Sequence, residues 1–80
     1  MNYYIFTFNT IHDALAAEKL VSGHNGTIIP VPYEITAGCG FAVRLPEQEP
    51  GMSILNENAK IAGIYGVTGR GSAKVVKKIQ

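Results

Sequence analysis

The sequence predicts an α+β fold, in which a four-stranded antiparallel sheet carries two helices on one face. Three observations carry this prediction. Four short runs are rich in aromatic, β-branched or other apolar residues, which is typical of strands. Two longer stretches, one after the first run and one after the third, place apolar residues at helical spacing. The 80 residues suffice for one domain with a single core.

The first strand and the first helix have the clearest signals. Residues 3–8 are apolar at both alternating sets of positions, which is typical of a central strand covered on both faces. Thr10, followed three residues later by Asp13, resembles a capping box, so we expect a helix from there to about Ser22. Gly26 and the asparagine before it tolerate a positive φ and turn the chain.

Four further elements have weaker signals. Residues 27–31 are a strand candidate, and Pro30 predicts that this strand lies at a sheet edge because proline has no N–H to donate. Residues 40–45 are the third strand candidate. A second helix is expected over about residues 51–62, and a short final strand over residues 64–67.

The order of these elements is the split βαββαβ pattern of a ferredoxin-like sandwich. Right-handed crossovers then place strands one and three in the middle of the sheet, strands two and four at its edges, and both helices on one face. The domain is expected over residues 1–67, followed by a basic C-terminal tail at residues 68–80 with freedom to move. Because the first strand is apolar on both sides and the helices cover only one, we expect a homo-oligomer that packs through the open sheet face.

Composition excludes several classes of protein. With one cysteine and two histidines there is neither an internal disulfide nor a four-ligand zinc pattern, and no cofactor or metal is expected. The net charge is only +1, and the lysines of the tail have no interleaved aromatic residues, so no nucleic acid partner is expected. No apolar run approaches the roughly 18 residues that cross a bilayer, and no signal peptide is recognisable. A free thiol without a leader fits the reducing cytoplasm.

The candidate reactive group is Cys39, which lies between Gly38 and Gly40 just ahead of the third strand. Flanking residues without side chains leave a thiol open to a partner molecule, and they allow backbone N–H groups to point at the sulfur and lower its pKa. A thiolate attacks electrophiles or carries a sulfur or selenium atom as a persulfide or its selenium analogue. No second cysteine and no suitably spaced histidine accompany it, which favours a carrier or binding protein over a stand-alone enzyme.

A purely structural interpretation of the same residues stays open. Free cysteines are commonly buried as small apolar residues, and glycine pairs commonly mark a tight turn before a strand. Arg44, five residues beyond Cys39, can hold an anionic group, although a single arginine on a strand is more commonly solvated. The alternative function is therefore a non-catalytic protein-interaction module, or a regulatory module that binds a small metabolite, in which the cysteine is structural.

Several segments together resemble a known family. They are the N-terminal Tyr-Tyr-Ile-Phe-Thr-Phe strand, the Thr10-x-His12-x-Ala14-Leu15-x-Ala17-Glu18-Lys19 helix, the Pro30-Val-Pro32 turn and the Cys39-Gly40-x-Ala42-x-Arg44 segment. In these residues the chain resembles the selenium/sulfur (Se/S) carrier protein-like family of small bacterial domains, from residue 3 to about residue 66. The resemblance implies that Cys39 accepts a sulfur or selenium atom from a donor protein and passes it to an acceptor protein. It also implies that Gly38 and Gly40 leave room for the partners and that Arg44 stabilises the persulfide anion.

Overall fold

A computed structural model of the chain describes residues 3–32, 35, 40–55, 61–69 and 75–79, which form an α+β fold. The strands are β1 (Tyr3–Phe8), β2 (Thr27–Pro30), β3 (Phe41–Leu45), β4 (Ile61–Thr68) and β5 (Val75–Lys78). The helices are α1 (Ile11–Val21), followed by a 3₁₀ turn (Ser22–His24), and α2 (Gln48–Pro50), which continues as a π-helical turn (Gly51–Leu55).

Among the described residues the sheet has five strands in the order β2-β3-β1-β4-β5, and every neighbouring pair is antiparallel. As the sequence predicts, β1 and β3 pair in the interior and β2, with Pro30, lies at an edge. The predicted four-stranded sheet is wrong by one strand, because β5 pairs with β4 and takes its place at the other edge. The ferredoxin-like topology, which rests on four strands, stays a prediction.

The fifth strand lies in the segment that the sequence assigns to a basic tail. Val76 is opposite Val67 in the register, and the N–H of Ile79 donates to the carbonyl of Ile64 at 2.8 Å. The two consecutive valines of β5 supply the β-branched residues that strands favour. The sequence does not predict this strand, because two valines among lysines have the same composition as a solvated chain terminus.

The second helix also differs from its predicted bounds. Its helical part begins at Gln48 rather than near residue 51, and Ile61 and Ala62, expected at its end, belong to β4. The early start is compatible with Pro50, since the N–H groups of the first helical turn have no intrahelical partner and a proline costs little there. Gly51 lies against the sheet: it is buried, and a Cβ atom built on it would overlap the ring of Phe6.

Helix α1 begins and ends as the sequence predicts. The side-chain oxygen of Thr10 accepts a hydrogen bond from the N–H of Asp13 at 3.2 Å, which caps the helix. At the other end Asn25 has a left-handed φ of 63°, and the N–H of Gly26 donates to the carbonyl of Val21 at 3.0 Å. Within the described ranges, no helix is long and apolar enough to cross a membrane.

The main core lies between the sheet and the two helices. Its fully buried members come from β1, α1, β3, the π-helical turn and β4: Phe6, Phe8, Ala14, Ala17, Val21, Val43, Leu45, Leu55 and Ile64. Because residues of both helical segments belong to this one cluster, both pack against the same face of the sheet. Ile11 and Leu15 of α1 stay outside this core and are exposed.

We call the opposite side of the sheet the open face. Strand by strand it carries Thr27 and Ile29, Ala42 and Arg44, Tyr3, Ile5 and Thr7, Tyr65 and Val67, and Val76 and Lys78. A second, smaller core forms there from Ile5, Ala42, Val67 and Ile35, all at most 5% exposed. Ile5 is therefore covered within a single chain. Homo-oligomerisation through this face stays a prediction. Its premise was an apolar side of β1 left uncovered, and in the described residues Ile5 on that side is buried.

Candidate functional site

The predicted thiol lies in the connection between β2 and β3. Cys39 and Gly38 are outside the described residues, but the structure describes both ends of this connection. At its base the N–H of Val31 donates to the carbonyl of Gly40 at 3.0 Å, so the pairing of the two strands extends one step into the connection. The N–H of Ile35 donates to the carbonyl of Pro32 at 3.0 Å, which closes a turn just beyond β2.

The connection is anchored on the open face by Ile35. This side chain is 5% exposed and packs in the smaller core with Ile5, Ala42 and Val67. Only four residues separate Ile35 from Gly40, so the chain that carries Cys39 is held at both of its ends. The anchor was missed by the sequence reasoning. Its signal in the sequence is one isoleucine between Glu34 and Thr36, which no periodic pattern accompanies.

Gly40, the residue that follows the predicted thiol in the sequence, has open space around its Cα atom. It is exposed, and apart from its two chain neighbours a Cβ atom built on it would meet no atom within 4 Å. Its φ is outside the left-handed region, which among the described glycines only Gly69 occupies. The backbone at Gly40 therefore does not demand glycine, and what the residue contributes is the absence of a side chain.

Arg44 lies at the other end of β3. It is four positions after Gly40 in the sequence, which corresponds to roughly 13 Å along an extended strand. It is exposed on the open face, and its guanidinium carbon is 5.5 Å from the centre of the Tyr3 ring. The structure thus brings Arg44 to Tyr3 and does not bring it to Gly40, and its predicted role beside the persulfide stays a prediction.

The histidines have no described connection to these residues. His12 lies on the exposed side of α1 and His24 in the 3₁₀ turn after it. Residue His24 lines a polar cleft of about 420 Å³ together with Glu47 and the loop around Asn25, near the end of β3 that is remote from Gly40. Among the described residues, no group of three or more histidine, cysteine, aspartate and glutamate side chains is placed to hold a metal ion.

Comparison with protein families covers most of the chain. A family model described as "Putative Se/S carrier protein-like" matches residues 3–65, well over half of the 80 residues. The chain belongs to this Se/S carrier family. The matched region extends from β1 into β4 and includes Cys39, whereas β5 lies beyond it. No curated protein and no solved structure is significantly similar to this member of the family.

Proposed function

We propose that the chain is a sulfur or selenium carrier and that Cys39 is the group that holds the transferred atom. The observation that carries this proposal is the family match, which spans the chain's sole cysteine. A carrier needs one thiol and no catalytic base of its own, because its donor and acceptor proteins supply the remaining groups. The chain's content of one cysteine, without a redox partner, fits this requirement.

The transfer proceeds by two displacements at sulfur. The Cys39 thiolate attacks the terminal sulfur of a donor persulfide, R–S–SH, the donor S–S bond breaks, and R–S⁻ leaves with the bonding electrons and takes up a proton. Cys39 then carries the atom as Cys–S–SH. A nucleophile of the acceptor attacks that terminal sulfur, and the Cys39 thiolate leaves. Neither step needs an external oxidant or reductant, and selenium follows the same route as Cys–S–SeH.

The geometry around Gly40 supports such a role. A carrier has to present its thiol to two proteins in turn, and the space beside Gly40 is open. It also benefits from a defined position of the thiol, because a well-placed group loses less entropy when it reacts. The hydrogen bond between Val31 and Gly40 and the burial of Ile35 fix the two ends of the segment that contains Cys39. Gly38 is assigned the same spacing role as Gly40.

A carrier of this kind works with a donor and an acceptor protein, and a free thiol of this chemistry persists in a reducing compartment such as the cytoplasm. The anion-stabilising role of Arg44 is a second part of the proposal, to be tested separately because Arg44 is four positions along β3 from Gly40. The βαββαβ part of the fold, without β5, is proposed to be the ferredoxin-like unit that the family shares.

The test is persulfide loading measured by mass spectrometry on the intact protein. After treatment with inorganic polysulfide and removal of the excess, the wild-type chain is expected to gain the mass of one sulfur atom at Cys39, and a thiol acceptor is expected to remove it. The variant Cys39→Ser is the control: it is expected to keep the wild-type circular dichroism spectrum and to gain no sulfur.

The labelling rate of Cys39 by a thiol reagent across pH 5 to 10 decides between carrier and structural cysteine. Rapid labelling of the native protein, with a midpoint below the ordinary thiol pKa of about 8.5, is the expected result. Labelling that occurs only after denaturation would mean a buried structural cysteine and would rule the carrier out.

A further inference from the structure

An exposed apolar surface lies at the end of the sheet where β3 starts. Phe41, the first residue of β3, is 43% exposed, although phenylalanine is among the side chains that proteins most commonly bury. Its side chain is on the helix side of the sheet, because successive residues of a strand alternate and Ala42 belongs to the open face. Pro30 is opposite Phe41 in the register and is exposed too, so both residues are on this side of the sheet.

Helix α1 adds two large apolar residues at the same end of the sheet. Ile11 and Leu15 are 37% and 44% exposed, and they are four positions apart, so they lie on one flank of the helix. Because β3 is antiparallel to β1, it starts where β1 ends. Helix α1 begins only three positions after Phe8, the last residue of β1, so its first turn lies at this end of the sheet as well.

The exposed flank of α1 faces the edge strand β2. The helix packs on β2 and β3, and it connects β1 to β2, which are parallel because both are antiparallel to β3. Such crossovers are right-handed in nearly all proteins. With this handedness, and with Ala14 and Ala17 buried against the sheet, Ile11 and Leu15 are turned towards β2. We call the four exposed apolar residues at this end the corner patch: Ile11, Leu15, Pro30 and Phe41.

The corner patch is close to the predicted thiol through the covalent chain alone. Cys39 is two positions before Phe41, and two residues span at most about 7 Å. A protein whose sulfur reacts with Cys39 therefore brings its surface to the neighbourhood of Phe41. The described anchor of the same connection, Ile35, packs on the open face, which is the opposite side of the sheet from the patch.

The size of the corner patch fits a short-lived encounter. A side chain of this size that is about 40% exposed offers at most about 100 Å² of apolar area. Three such side chains fall well short of the roughly 800 Å² that each partner buries in a stable complex. A second copy of the chain held by this patch alone would dissociate readily. A carrier requires such weak contacts, since it has to leave its donor before it meets its acceptor.

We infer that the corner patch is the docking surface for the protein that donates sulfur or selenium to Cys39. The inference rests on the proposed carrier function and adds which surface of the chain recognises the donor. The expected donor has apolar side chains next to its persulfide, because they cover Phe41 and Leu15 when the terminal sulfur reaches Cys39. Burial of apolar surface at the reacting thiol then favours the complex without making it permanent.

The experiment compares two synthetic peptide persulfides of equal length as sulfur donors to the intact protein. One has leucine on both sides of its persulfidated cysteine, and the other has serine at both positions. The Cys39 thiolate attacks the terminal sulfur, the S–S bond of the peptide breaks, and the peptide thiolate leaves and takes up a proton. Mass spectrometry measures the rate at which the protein gains one sulfur atom. The leucine peptide is expected to load Cys39 about tenfold faster, which corresponds to partial burial of its two leucines.

Exposed apolar residues elsewhere in the chain provide matched controls. Leu15→Gln is expected to reduce the tenfold preference to about twofold. Leu20→Gln is expected to leave it unchanged, because Leu20 is 40% exposed on the same helix but lies five positions further on, roughly 140° around the axis. Phe41→Thr and Val75→Thr form a second pair, since Val75 is exposed in β5 at the other edge of the sheet. Only Phe41→Thr is expected to reduce the preference.

Inorganic polysulfide separates this inference from the function on which it rests. This donor has no side chains, so all four variants are expected to load with it at the wild-type rate. Failure of polysulfide to load Cys39 in the wild type would overturn the carrier function and this inference with it. Normal loading by polysulfide without a preference between the two peptides would overturn the inference alone.

Two further outcomes would also overturn it. An equal loss of preference in Leu15→Gln and Leu20→Gln would mean a general apolar attraction to α1 rather than docking at the corner patch. A dimer in light scattering that dissociates in Leu15→Gln would mean that a second copy of the chain, and not a donor, covers the patch.

Discussion

Gly40 is the described residue that lies next to the predicted thiol. Its exposure, and the empty space where a Cβ atom would project, indicate that a small side chain at this position causes no clash. Its φ is not left-handed, so a Cβ atom introduces no backbone strain. The effect of residue 40 on the stability of the fold can therefore be measured separately from its effect on the access of a reagent to Cys39.

For Gly40→Ala we expect the free energy of unfolding to stay unchanged or to rise by up to about 1 kcal/mol, because alanine has less entropy to lose than glycine. Gly40→Leu is expected to fold and to slow the labelling of Cys39 by a bulky thiol reagent more than by a small one. Urea unfolding and the ratio of the two labelling rates measure these effects. A loss of more than about 2 kcal/mol in Gly40→Ala would mean that the glycine is required for a turn, as in the structural interpretation of this segment.

The candidate site was only partly predictable from the sequence. Composition identifies Cys39, because it is the sole cysteine, and the flanking glycines are visible in the sequence. The buried position of Ile35 and the pairing of Arg44 with Tyr3 were not predictable. Both depend on which residues the register brings to the open face, and spacing along the chain does not contain that information.

At the scale of elements, the sequence predicts the bounds of a helix or strand well where its local signals are strong and poorly where they are weak. The bounds of β1 and α1 agree with the sequence because a continuous apolar run, a Thr10 cap and a left-handed Asn25 mark them locally. The second helix and β5 have mediocre local preferences, and packing against the sheet decides where they form. β5 becomes a strand because the outer side of β4 offers it hydrogen-bond partners.

The contact between Gly51 and Phe6 is what permits the π-helical turn to lie on the sheet. We expect Gly51→Ala to lower the free energy of unfolding by about 1–3 kcal/mol, since its Cβ would overlap the buried ring and force one of the two apart. Urea unfolding followed by circular dichroism measures the change. Gly23→Ala is the matched control, because Gly23 is exposed and a Cβ there meets nothing within 4 Å. Equal effects of the two substitutions on the free energy of unfolding would show that the close approach of Gly51 to Phe6 does not contribute to stability.

At the scale of the whole molecule, one sheet separates two cores of unequal size. Among the described residues the larger is covered by the two helical segments, and Ile35 of the connection between β2 and β3 packs on the smaller. This arrangement makes the stability of the fold depend on the same segment that carries the predicted thiol.

We therefore expect Ile35→Ala to cost about 2–5 kcal/mol of unfolding free energy, which is the usual range for truncating a buried isoleucine side chain to alanine. Ile11→Ala is the control, because Ile11 is 37% exposed on α1 and alanine favours helix, so its effect should stay within about 0.5 kcal/mol. The comparison is made by urea unfolding monitored at equilibrium. Equal stability of Ile35→Ala and wild type would contradict the anchoring of the connection on the open face.

The two edge strands limit how this protein can meet another chain. At one edge Pro30 withholds an N–H from any added strand, and at the other edge β5 is four residues long and contains Lys77 and Lys78. Short length, proline and lysine are the features by which sheets resist growth by pairing with further strands. The sheet is consequently closed to extension at both sides. The donor and acceptor proteins of the proposed carrier are therefore expected to approach through side-chain surfaces, and the same edge features disfavour aggregation by strand addition.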